Sequence, residues 1–222
     1  MLSIKVELKG AEKFLNSVSD LGKQVRYAAA VALTRTARQV SIAGQEEVAK
    51  VFDKPTPFIK RAIGFTSATK QTLAARVFVK DRQQRYLLPH ITGGSRPLKP
   101  FEQRLGQPAK SVGFWVPGPG VRLNTYGNIP LATIKQIAAQ LQGAKSARGK
   151  FREVFVGVPK NQPQRPFAVW AKTKSGGLVP LLIRIDNPNY TKRFDFQGIA
   201  RRVVGQTFEN EFNRALKEAL GR

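Results

Sequence analysis

Apolar and polar side chains alternate at the start of the chain, with Leu2, Ile4, Val6 and Leu8 set against Ser3, Lys5, Glu7 and Lys9. A period of two predicts a half-buried strand, closed by Gly10. Between Ala11 and Leu21 the spacing of Phe14, Leu15, Val18 and Leu21 becomes that of a short helix, punctuated by Gly22. Residues Lys23 to Val51 contain no proline, are rich in alanine and are interrupted only by Gly44. They predict one helix of about 40 Å, packed closely on a sheet or on another copy of itself. Pro55 and Pro57 stop it, and Pro57 suits the first position of a short helix through Ile63.

Alternation returns from Leu73 to Val79, a second strand. Residues 81–111 hold four prolines and three glycines with little periodicity, and predict a long extended basic loop. Connections beyond about 12 to 15 residues are usually functional, disordered or reaching for a partner. Phe114 to Val116 reads as a short strand ended by Pro117-Gly-Pro-Gly120, and Ile134, Ile137, Ala138 and Leu141 space a helix after Pro130. Glu153 to Val158, Phe167 to Lys172 and Leu178 to Ile185 predict three successive strands, the last two joined in a hairpin by Lys174-Ser-Gly-Gly177. Phe208, Phe212, Ala215, Leu216 and Ala219 mark one face of a final helix beginning near Gln197, with Arg201, Arg202, Arg214 and Lys217 off that stripe. Helices and strands mix without regular alternation, which predicts a single α+β domain over residues 1–222 with a mainly antiparallel sheet.

Composition narrows the chemistry. The 222 residues include 38 Lys and Arg against 14 Asp and Glu, a net charge of +24, with one His and no Cys. Without cysteine there are no disulfides, no thiolate nucleophile and no Cys-ligated metal. Charges interrupt the first residues where a signal peptide needs an apolar run, and no stretch approaches the ~18 apolar residues of a membrane span. The expectation is a chain made in the cytoplasm with no membrane partner. Its excess charge calls for a polyanionic partner without naming one.

That charge is uneven. Residues 53–110 carry 12 basic and 3 acidic side chains and residues 143–165 carry 6 and 1, whereas residues 111–142 hold only Arg122 and Lys135. The cations therefore fall in two predicted loops, at about 81–111 and 143–150. Arg82, Lys145, Arg148 and Lys150 are candidates for contacts with phosphate or an acidic partner. Arg85, Tyr86, Arg96, Lys99, Tyr190, Lys192 and Arg193 are candidates for subunit or partner contacts. Aromatic rings interleaved with cations, as at Arg85-Tyr86 and Tyr190 to Phe194, can stack bases while Lys and Arg neutralise phosphate. Phe155, Phe167 and Trp170 lie on predicted strands and read as core. The loop Asn187 to Phe196 reads as carrying exposed aromatics. It suits either a subunit contact, with Arg193 offered to a neighbour's carboxylate, or a staple for the last helix.

No catalytic constellation is assembled in the sequence. Gly143-Ala-Lys-Ser-Ala-Arg-Gly149-Lys150 has five residues between its glycines where a phosphate-binding P-loop has four, and Phe151 stands where the magnesium-binding hydroxyl belongs. Glu7 and Lys9 share a strand face without the upstream Asp of a metal-dependent nuclease. His90 stands in the Pro/Gly segment with no nucleophile elbow to serve. Glu46 and Glu47 are adjacent on a helix and point apart. No enzyme, cofactor or metal is expected.

In order and spacing the chain resembles the phage minor tail protein Z family, which overlaps the tail-completion and head-tail joining proteins of tailed phages. The resembling stretches are Tyr27-Ala-Ala-Ala-Val-Ala-Leu-Thr-Arg-Thr-Ala-Arg38, Pro57-Phe-Ile-Lys-Arg-Ala62 and Gly93-Gly-Ser-Arg-Pro-Leu-Lys99 with Glu102. To these are added Leu123-Asn-Thr-Tyr-Gly-Asn-Ile-Pro130, Gly176-Gly-Leu-Val-Pro-Leu-Leu182 and Phe194-Asp-Phe-Gln-Gly-Ile-Ala200. The resemblance implies a virion protein that forms a homo-oligomeric ring at the neck, between the connector and the tail terminator or tail tube, around the passage for genomic DNA. It implies no enzymatic activity. A channel gripping phosphate at many points would resist movement of the genome, so much of the positive field is expected to face acidic protein neighbours. The alternative is a free DNA- or RNA-binding protein acting through non-specific phosphate contacts.

Overall fold

The alanine-rich segment forms a helix because nothing in it opposes one: it holds no proline, and its small side chains lose little freedom on becoming helical. The structure, a computed structural model, describes residues 2–7, 19–106, 113–144 and 151–221. Its first elements are β1 (Ser3–Glu7) and α1 (Ser19–Val51). The short helix expected over Ala11 to Leu21 falls largely outside the described residues, but the break expected at Gly22 is not observed, because α1 already includes Ser19 to Leu21 and runs through Gly22. Ala29, Leu33, Ala37, Val40, Gly44 and Val48 recur every three or four residues and are buried, while Arg38 on the other side is exposed. Gly44 does not break the helix. A Cβ placed there would stand 3.2 Å from Ile63 Cγ1, so glycine lets the following strand approach the helix closely.

After α1 come α2 (Pro57–Lys60), β2 (Ile63–Thr66), β3 (Ala74–Val79) and α3 (Asp81–Thr92). The short helix expected to run through Ile63 stops at Lys60. Ile63 instead opens β2, and its carbonyl accepts hydrogen bonds from Ser41 Oγ (3.1 Å) and Gln45 Nε2 (3.0 Å) on α1. The antiparallel sheet has the order β1-β3-β2, with Ile4 opposite Val77 and Gly64 opposite Phe78. Central β3 buries Ala75, Val77 and Val79 and turns Arg76 outward, the period-two pattern seen in the sequence.

The long loop expected over 81–111 is not observed. Residues 81–92 form α3 and Pro100–Gly106 form α4, while residues 107–112 lie outside the described set. Gln83 and Leu87 are buried and Ile91 packs against the same core, a period of four that carries the helix across Pro89. Gly93, with φ +77°, then ends it. The final helix α6 (Phe196–Leu220) begins where Asp195 accepts a hydrogen bond from Gly198 N at 2.9 Å. It packs along α1, tied by Gln39 Nε2 to Glu211 (2.8 Å) and by Arg35 to Glu218 (2.9 Å).

Where one domain was expected, the chain gathers into two compact units. Met1–Gly93 joins Thr191–Arg222 in the first, and Gly94–Tyr190 forms the second. The second unit holds α4, β4 (Phe114–Pro117), α5 (Leu131–Leu141), β5 (Phe151–Gly157), β6 (Ala168–Thr173) and β7 (Leu178–Ile185). Its antiparallel sheet runs β4-β7-β6-β5, so the last three strands form the expected meander. Trp115, Ile137, Val169, Ala171, Leu181 and Leu182 build its core, and Trp170 Nε1 donates to Gly157 O at 2.9 Å. Of the aromatics assigned to the core, Trp170 is buried and Phe155 and Phe167 are half-buried. The class is α+β, with both sheets antiparallel. Among the described residues no helix is long and apolar enough to cross a membrane.

Candidate functional site

Two short helices of the first unit, α2 and α3, create a surface that sequence order conceals. Thr56 caps α2, its hydroxyl accepting from Ile59 N at 3.3 Å, and Pro57 fills the first turn. Gln83 of α3 donates to the Phe58 carbonyl at 3.3 Å and joins the two helices. Arg82, Arg85 and Tyr86 sit at positions i, i+3 and i+4 of α3, on the face opposite buried Gln83 and Leu87.

Phe58 and Tyr86 therefore emerge side by side, 40% and 52% exposed, with ring centres 6.2 Å apart and planes at 90°. The Arg82 guanidinium lies 6.0 Å from the Phe58 ring centre. Lys60, Arg61, Lys80, Arg82 and Arg85 are all exposed along these helices and their flanks. Among the described residues none of these five forms an ion pair. Two exposed rings, with Arg82 over one of them and further exposed cations on the same helices, can accept a planar group and neutralise anions beside it.

Arg82, Arg85 and Tyr86 were expected at contacts, but on a loop and with Arg82 in a different role from the other two. Phe58, Lys60 and Arg61 were not foreseen as members of one surface. The signals were present in the Thr56-Pro57 helix start and in the i, i+3, i+4 spacing on α3, but Pro89 and the two glycines after it pointed more strongly to a loop.

The other named residues are dispersed. Arg96, expected at a partner contact, is engaged within the second unit. Its guanidinium donates to both oxygens of fully buried Glu102, at 2.7 and 2.6 Å, and its Nε donates to Tyr190 Oη at 3.2 Å. Arg96 also lies 4.9 Å from the Phe114 ring centre. Burial alone would raise the Glu102 pKa, but Arg96 and the backbone N–H groups of Lys99 (2.6 Å) and Trp115 (3.1 Å) together hold it below the usual carboxylate value. The Lys99 side chain is exposed. Tyr190 is half-buried and exchanges backbone hydrogen bonds with Gly94 at 2.8 and 2.9 Å.

Lys192 and Arg193 are exposed on the segment leading to α6. The expectation of exposed aromatics there fails for Phe194 and Phe196, which are 1% and 0% exposed in the core of the first unit. The backbone N–H groups of Arg193 and Phe194 donate to the His90 carbonyl at 2.8 and 3.0 Å, so this segment staples α6 to α3. Lys145, Arg148 and Lys150 lie outside the described residues.

His90 sits in the last turn of α3, edge-on to Phe52 with ring centres 4.8 Å apart, and burial together with nearby Arg193 lowers its pKa. Glu7 pairs with Lys5 on β1. Among the described residues no group of three or more His, Asp or Glu side chains is placed to hold a metal ion. Comparison with family models, curated proteins and solved structures finds no match to this chain.

Proposed function

We propose that this chain is a structural virion protein of a tailed phage, a tail-completion or head-tail joining protein. It assembles as a ring at the neck between connector and tail, around the DNA passage. The observation that carries this reading is the spread of unpaired positive charge over both units. Arg38, Arg76 and Arg201 on the first unit and Arg122, Lys135 and Lys172 on the second are exposed and outside every ion pair among the described residues. A single small-anion site needs a few convergent cations. A field distributed over two units instead suits docking on several acidic neighbours at once, including adaptor, terminator and tail-tube proteins. The family resemblance supplies the context, and the packed α1–α6 pair supplies a scaffold able to hold the surfaces of the first unit in fixed register.

The test is direct. Purified protein, alone or mixed with the neighbouring virion proteins, should form closed rings under the electron microscope. The chain should also be found in purified virions, and its docking on acidic neighbours should weaken with salt. A strictly monomeric protein absent from virions would overturn the reading.

A further inference from the structure

We infer that the α2–α3 surface is a binding site for single-stranded nucleic acid. Unpaired bases would stack on Tyr86 and Phe58, and Lys60, Arg61, Arg82 and Arg85 would neutralise the flanking phosphates.

Exposed aromatic rings grouped on a folded chain usually mark something that covers them. Here the cover must be flat and must bring negative charge, because Arg82 lies over Phe58 and Lys60, Arg61 and Arg85 stand exposed on the same two helices and their ends, all four outside every ion pair among the described residues. An acidic peptide would satisfy the cations but has no use for two perpendicular rings. Duplex DNA would satisfy the cations too, yet its base faces are already stacked on one another. Of these three polyanions only an unpaired strand offers phosphates and free base faces together. The right-angled pair of Phe58 and Tyr86 forms a corner against which one base can lie. Arg82, over Phe58, holds its charge at the edge of that corner. The surface is built of rings and cations rather than of side-chain amides and carboxylates that read base edges, so binding is indifferent to sequence. The proposal stands apart from the neck-assembly reading: rings without strand binding would remove only this one, and strand binding by a monomer absent from virions would remove only that one.

Fluorescence anisotropy of the full chain tests it, using a labelled oligothymidine of about 15 nucleotides and a duplex of equal length, between about 50 and 200 mM salt. The single strand should bind more tightly than the duplex, with a log-log salt slope of about −0.7 per phosphate neutralised. Tyr86→Ala should weaken single-strand binding roughly five- to a hundredfold while leaving the salt slope and duplex binding unchanged. Arg82→Ala with Arg85→Ala should make the slope shallower by about 0.7 for each phosphate that is no longer neutralised. All three residues are exposed, so unchanged circular dichroism separates impaired binding from impaired folding. The proposal is overturned if Tyr86→Ala leaves the affinity unchanged, if duplex binds as tightly as single strand, or if an oligoglutamate displaces the strand at equal charge concentration.

Discussion

Arg96 and Glu102 form a two-pronged ion pair inside the second unit, with the carboxylate fully buried and the guanidinium side chain 11% exposed. Two backbone N–H groups, from Lys99 and from Trp115 on β4, donate to the same carboxylate. One buried anion thus fixes the turn before α4, the helix itself and the first residues of the neighbouring strand. Breaking such a pair from one side leaves the other charge buried without compensation, at a cost of about 3 to 5 kcal/mol. Arg96→Ala should therefore destabilise the second unit by that amount. Both tryptophans of the chain, Trp115 and Trp170, belong to this unit, so the midpoint of urea unfolding followed by tryptophan fluorescence measures it. A loss below ~1 kcal/mol would show that the pair does not organise this region.

Acid should act through the same carboxylate. Its folded pKa is depressed, so it contributes stability above its unfolded value of about 4.3 and loses that contribution as pH falls through the folded value. Glu102→Gln removes the charge at every pH. The stability gap between the native protein and this variant should be constant near neutrality and shrink below about pH 4. Fluorescence-detected unfolding at several pH values checks this, and a gap independent of pH would assign the acid response to other groups.

Phe194 and Arg193 separate the two roles offered for the segment before α6. Phe194 is 1% exposed, so Phe194→Ala should cost about 3 to 5 kcal/mol in the first unit, read as loss of helical circular dichroism at lower denaturant. Arg193 is exposed, and Arg193→Ala should stay within about 0.5 kcal/mol of the native protein. If Arg193→Ala nevertheless reduces self-association measured by sedimentation, the segment serves a subunit contact as well as stapling the helix.

How much of the structure was legible in the sequence depended on how much of each element's pattern was local. β1, α1, β3 and the meander β5 to β7 each carry their own period, and their positions follow from alternation or from the spacing of alanines. The helix α3 has a period too, through Gln83, Leu87 and Ile91, but Pro89 is a local breaker whose effect is overcome only by burial against a core assembled from distant residues, and the helix stops at Gly93. Phe194 and Phe196 failed for the same reason: flanked by Lys192, Arg193 and Asp195, they read as exposed, and only the packed first unit buries them. Arg96 and Glu102 lie six residues apart, yet nothing in that spacing shows that the carboxylate is enclosed. The α2–α3 surface was the least visible, because Phe58 and Tyr86 meet across 28 residues of chain, two strands among them.

Gly118 offers a test of a motif that could be read only as a strand end. In Pro117-Gly-Pro-Gly120 the Gly118 N–H donates to Leu181 O at 2.9 Å, and the Gly120 N–H donates to Pro180 O at 3.0 Å. A Cβ on Gly118 would stand 2.3 Å from that same Pro180 oxygen and 2.8 Å from its carbon. The obstacle is backbone already committed to a hydrogen bond, so it cannot swing aside as a side chain would. Gly118→Ala should cost about 1 to 3 kcal/mol through forced displacement of β7 from the turn after β4. Gly205, exposed in α6 with no atom within 4 Å of the place a Cβ would take, is the control: there alanine should stabilise the chain by about 0.5 to 1 kcal/mol, because glycine is the poorer helix former. Opposite shifts in the thermal midpoints of the two variants are expected. A stabilised Gly118→Ala would mean that the turn lies farther from β7 than these distances require.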